Sequence, residues 1–98
     1  MAIETTRFDI QDHIGSPESQ AAYLEAALED GDPGLIAAAI GDIARARGAT
    51  QFAKESGLSR ETIYKVFRPG GNPTIGTVAK AARVLGLRLT LAPIPDSH

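Results

Sequence analysis

Apolar residues recur every three or four positions through most of this chain and every second position only near its end, so the pattern predicts helices followed by one strand. In "SPESQAAYLEAALEDG", Ala21, Leu24, Ala27 and Leu28 keep helical spacing; Ser16 stands as cap, Pro17 takes the first helical position and Gly31 closes the segment. "DPGLIAAAIGDIARARG" repeats the device, with Asp32 as cap, Pro33 behind it and a stripe of Ile36, Ile40, Ile43 and Ala44. Arg45 and Arg47 suit its C-terminal dipole and Gly48 stops it; this second helix is expected to be the most buried. Two shorter helices follow across Gly57, the first carrying Phe52, Ala53 and Ser56 on one face and the second, capped by Ser59, carrying Ile63, Val66 and Phe67. "RPGGNP" reads as a loop, and Thr74 caps a fifth helix over Ile75 to Leu85, with Val78, Ala82 and Leu85 inward.

The two ends differ from the middle. Residues 1–15 offer only Phe8, Ile10 and Ile14 as sizeable anchors and read as a loosely held arm, leaving residues 16–98 as the folded domain. "LRLTLAP" alternates apolar and polar positions, which predicts a half-buried strand over residues 87–92. A lone strand needs a mate, either in the arm or in a second copy of the chain.

The stretch "TQFAKESGLSRETIYKVF", residues 50–67, raises the functional question. A helix-turn-helix for DNA needs a small residue where the helices cross, glycine in the turn, apolar residues that hold the angle, and outward polar residues on the second helix. Ala53, Gly57, Ile63 and Val66 meet the internal requirements, which leaves Arg60, Glu61, Thr62, Tyr64 and Lys65 to face outward with Arg68 just beyond. Arginine can grip guanine bidentately, threonine can meet a thymine methyl or a phosphate, and lysine can reach base or backbone. Tyr64 is open to a second role as a half-buried packing residue, and Glu61 to one as an acidic residue favoured at a helix N-terminus.

Charge sharpens this picture. The formal net charge is −2, yet residues 1–44 hold one basic residue, Arg7, against nine acidic ones, a net of −8. Residues 45–88 hold nine basic residues against Glu55 and Glu61, a net of +7, and Asp96 supplies the last negative charge. Such division predicts an anionic partner for the second half and a cationic one for the first. The 98 residues contain no cysteine and suffice for one small domain, which fits a reducing cytoplasm and leaves no thiolate metal site. No apolar run approaches the length of a membrane span, and the first residues lack the order of a signal peptide.

Catalysis has little to stand on. The histidines are His13, in the arm, and the terminal His98; Ser16, Ser19, Ser56 and Ser59 lie at caps or helix ends without a base nearby in sequence. "RPGGNP" lacks the lysine of a phosphate-binding loop, and "EDGD" is accounted for by a helix end and a cap. No enzyme, cofactor or metal is expected.

The segments "ALEDGDP", "GDIARARG", "GLSRETIYK" and "GNPT" closely resemble the HigA-like addiction-module antitoxins, a branch of the lambda-repressor-like, xenobiotic-response-element family of DNA-binding domains. The resemblance runs from about Phe8 to Leu91. It implies an all-α, five-helix lambda-repressor-like domain with an N-terminal arm and a short C-terminal strand. It also implies a small basic toxin similar to the RelE and HigB ribonucleases, and autorepression in which an antitoxin homodimer binds double-stranded operator DNA. The family's reading helix falls on Ser59 to Phe67, with Arg60, Glu61, Thr62 and Lys65 at positions of base contact, and Thr50 and Gln51 open the helix that holds a phosphate. The chain departs from many relatives at Ala49, where they carry a polar residue bracing the DNA contact.

A negative surface would complement a basic toxin. The arm and first helix supply Glu4, Asp9, Asp12, Glu18, Glu25, Glu29 and Asp30 for it, with Phe8 and Tyr23 as apolar anchors. Dimerisation is expected to involve the fifth helix and Leu87, Leu89 and Leu91. A helix-turn-helix regulator acting without any toxin is the alternative.

Overall fold

Residues 14–95 are described by a computed structural model. They form five helices: α1 Pro17–Asp30, α2 Pro33–Arg47, α3 Ala49–Ser56, α4 Arg60–Val66 and α5 Ile75–Val84. Local sequence explains most of these limits. Ser16 and Ser19 exchange hydrogen bonds between each hydroxyl and the other's backbone N–H, each 3.1 Å, a capping box in which serine replaces the usual glutamate or glutamine. Asp32 accepts from the Leu35 N–H at 2.9 Å, Ser59 from the Thr62 N–H at 3.0 Å and Thr74 from the Thr77 N–H at 3.2 Å. Each cap satisfies an amide that the first helical turn cannot.

The core joins Ile14, Leu24, Ile40, Ile43, Phe52, Ile63, Phe67 and Val78. α2 runs through it, burying Ala37, Ala39, Ile40, Gly41, Ile43 and Ala44, as its apolar stripe predicts. Its small residues allow close approach. A methyl on Gly41 would overlap the carbonyl oxygen of Phe67, and one on Gly71 would overlap that of Val66. The end of α4 is therefore gripped on one side by α2 and on the other by the loop after it.

Several expectations need correction. α3 begins at Ala49 with Gly48 as its cap residue, so Thr50 is its second residue and not its first. α5 ends at Val84, and Leu85 is its C-cap. Residues 87–92 form no strand, and no described residue supplies a backbone pairing partner for Arg88 to Ala92. The alternation itself persists: Leu87 and Leu89 are half-buried against the core, while Arg88 and Thr90 are exposed. Of the predicted arm, Ile14 is fully buried, while Phe8, Asp9 and Asp12 lie outside the described residues.

Candidate nucleic-acid interface

α3 and α4 form the corner that the small residues predict. The Gly57 N–H donates to the Ala53 carbonyl at 2.9 Å, and Gly57 takes φ 80°, a conformation that a side chain would strain. The Leu58 N–H then donates to Ser56 Oγ at 3.1 Å, while the leucine side chain enters the core. Ile63 and Phe67 anchor α4 from below, each 2% exposed.

That anchoring decides what is left outside. Arg60, Glu61, Tyr64, Lys65 and Arg68 are exposed, and Thr50 and Gln51 are exposed on neighbouring α3. Tyr64 is 55% exposed, which corrects its reading as a packing residue. One turn earlier on α4, Arg60 lies with its guanidinium 5.8 Å from the Tyr64 ring centroid and 3.4 Å from the phenolic oxygen. This stacking limits the freedom of a long side chain while leaving its charge at the surface. The Arg68 Nε–H donates to the Lys65 carbonyl at 3.0 Å, which turns that guanidinium back along α4. Among the described residues, Arg60, Lys65 and Arg68 make no ion pair. Their positive charge stays available to an outside anion.

The other predicted residues divide. Ser59 and Thr62 are engaged with each other, since Ser59 Oγ also lies 3.0 Å from Thr62 Oγ1; they shape the start of α4 before they offer anything outward. Gln51 donates to Glu55 at 3.0 Å. Glu55 also faces Arg47 at 3.3 Å, and its carboxyl is held below its ordinary pKa first by the Gln51 hydrogen bond and then by Arg47, against a partial desolvation. No side chain caps α3, so its first amides lack a side-chain acceptor.

Two residues here escaped the sequence reading. Arg45, assigned only to a helix dipole, lines with Ala49, Tyr64 and Arg68 a concavity of about 60 Å³ where α2, α3 and α4 meet, and it pairs with Asp42. Gln20, 3% exposed, donates to the Ile14 carbonyl at 3.0 Å and accepts from Arg47 at 2.6 Å. Arg47 thereby ties the root of the arm to α3. The partners lie 27 residues apart, and no local pattern marks such a pair.

The acidic surface is partly visible. Glu18, Glu25, Glu29 and Asp30 are exposed along α1. Tyr23 is half-buried and donates its hydroxyl to Asp42 at 2.8 Å; burial first, and then Asp42, push its pKa up to about 12. No helix is long and apolar enough to cross a membrane, and no cluster of metal-binding side chains occurs among the described residues.

A family model described as "probable addiction module antidote protein" matches residues 4–93. A Haemophilus influenzae protein described as "uncharacterized protein" is 43% identical over 81 residues, covering 83% of this chain and 84% of its own. No solved structure gives a significant match. The chain belongs to the family of probable addiction module antidote proteins.

Proposed function

We propose that this antidote is a HigA-like member of the lambda-repressor-like helix-turn-helix proteins, which represses its own operator and neutralises a basic ribonuclease of the RelE or HigB kind. The observation that carries the DNA reading is the exposed cationic set Arg60, Lys65 and Arg68, without an ion pair among the described residues, on a helix whose opposite face is locked by Ile63 and Phe67. α4 enters the major groove; Arg60, Glu61, Thr62, Tyr64 and Lys65 face base edges, and Thr50, Gln51, Ser59 and Arg68 face the backbone. A seven-residue helix covers only a few base pairs, so useful specificity needs two copies on a two-fold operator. The toxin takes the opposite charge, along the arm and α1 through Glu18, Glu25 and Glu29, where attraction speeds encounter.

The test is a gel shift on the chain's own upstream DNA across a salt series, alone and with the product of the adjacent reading frame. Specific binding that falls steeply with salt is expected. Replacing Arg60 by alanine should weaken operator binding by about 5- to 150-fold, as expected for one base-reading arginine, while toxin neutralisation survives. Folded protein that binds operator and scrambled DNA equally, or not at all, would refute the reading.

A further inference from the structure

Arg45 is a cation of α2 to which the DNA reading gives no task. Its guanidinium pairs with Asp42, one turn earlier on the same helix, yet its side chain remains 48% exposed. The pair stands where α2 meets the end of α4: a methyl on Gly41 would lie 3.5 Å from Arg45 Nη1 and would overlap the Phe67 carbonyl oxygen. Arg45 and Arg68 line the same concavity of about 60 Å³, with Ala49 and Tyr64 at its border and the buried Ile63 and Phe67 behind it. Two guanidiniums thus share one small hollow, and among the described residues Asp42 pairs with only one of them. The hollow keeps a net charge of about +1, which suits a single phosphodiester.

Asp42 is itself held in place. Its side chain is only 18% exposed, Oδ1 takes Arg45, and Oδ2 accepts the hydroxyl of Tyr23 from α1 at 2.8 Å. A carboxylate engaged at both oxygens fixes the guanidinium before any ligand arrives, so less side-chain freedom is lost on binding. With a pKa pushed up to about 12, the Tyr23 hydroxyl remains a donor throughout the neutral range.

We propose that Arg45 is a further operator-contact residue: with Arg68 it grips one phosphate of the DNA backbone, and Tyr23, acting through Asp42, positions it. A phosphate is favoured over a base edge because Arg45 comes from α2, beside the reading helix and not on its outward face. This inference rests on the DNA reading and adds to it a contact from outside residues 50–67.

Gel shifts across a salt series, on operator and on scrambled DNA, test it with the whole chain. Arg45→Ala, at a half-exposed side chain, should leave the helical circular dichroism unchanged and weaken binding to both DNAs about tenfold at low salt. It should also reduce the slope of log affinity against log salt by about 1, the signature of one lost phosphate contact. Arg45→Lys keeps the charge and should keep the slope. Tyr23→Phe also keeps every charge, so the slope should stay while affinity falls severalfold; added to Arg45→Ala it should cost nothing further. A Tyr23 that only packs α1 against α2 would weaken both backgrounds alike. An unchanged slope in Arg45→Ala, a loss confined to the operator, or additive losses at Tyr23 and Arg45 would overturn the proposal. If Arg60→Ala weakens operator binding and Arg45→Ala does not, this inference falls alone; a folded parent chain that binds neither DNA removes both readings.

Discussion

The corner from Ala49 to Phe67 and the tail from Leu87 to Pro95 both combine apolar residues at regular spacing with basic residues between them, and they end in opposite states. In the corner Phe52, Leu58, Ile63 and Phe67 are all covered by other helices, and the polar residues between them face outward. In the tail Leu87 and Leu89 are partly covered and Leu91 is not covered at all. A helix brings its apolar positions to one side every turn, so a neighbouring helix of the same chain can cover them. An extended segment carries its apolar face forward by about 7 Å per repeat and leaves the domain behind. The corner is finished within one chain; the tail leaves Leu91 uncovered by the described residues.

Substitutions in the two regions should therefore diverge most under denaturant. Phe52→Ala, at a fully buried site, is expected to lower the unfolding free energy by about 3–5 kcal/mol, a large share of the roughly 5–15 kcal/mol typical of a domain. Leu91→Ala, at a site 98% exposed, should change the urea midpoint little. Equal losses at the two sites would erase the contrast.

Gly41→Ala probes how the corner is held. Alanine would gain up to about 1 kcal/mol of helix propensity, but its methyl collides with the Phe67 carbonyl, and forced repacking commonly costs about 1–3 kcal/mol. The expected net is a modest loss of stability with a larger loss of operator affinity, because the displaced group ends α4. The measurement pairs a urea melt with the gel shift. An unchanged affinity alongside reduced stability would mean that α4 does not depend on this contact for its placement.

The corner was also the most legible part of the sequence, for the same physical reason. Caps at Ser16, Asp32, Ser59 and Thr74, and the left-handed turn at Gly57, act over three or four residues, so residue type and spacing reveal them. The exposed face of α4 follows once its buried face is known. Tyr64 could not be placed that way, since its ring lies beside Arg60 on the outer surface and an aromatic at that spacing suits either side. Nothing in the sequence marks Gly41 or Gln20; their roles depend on Phe67, Ile14 and Arg47 arriving from elsewhere. The strand over residues 87–92 was legible as a pattern and is not formed among the described residues, because alternation specifies a face without supplying a neighbour.

The smallest expected effect separates the regions by pH. Glu55 lies in the corner, where Gln51 and then Arg47 favour its ionised form, so its folded pKa sits below its unfolded one. A carboxyl depressed in this way contributes stability that is fully present above the unfolded pKa and fades as pH falls through the folded value. Acidification should therefore weaken the corner by that increment, which solvent screening keeps small at a partly exposed pair. Glu55→Gln removes the titration, and the difference in urea midpoint between neutral and acidic solution should shrink relative to the parent chain. The tail from Leu87 to Pro95 contains no carboxyl group, so the effect of Leu91→Ala should be the same at both pH values. If that effect changed with pH and Glu55→Gln abolished the change, corner and tail would be coupled, and the buried Gln20 bridge between the root of the arm and Arg47 would be the first place to look for the connection.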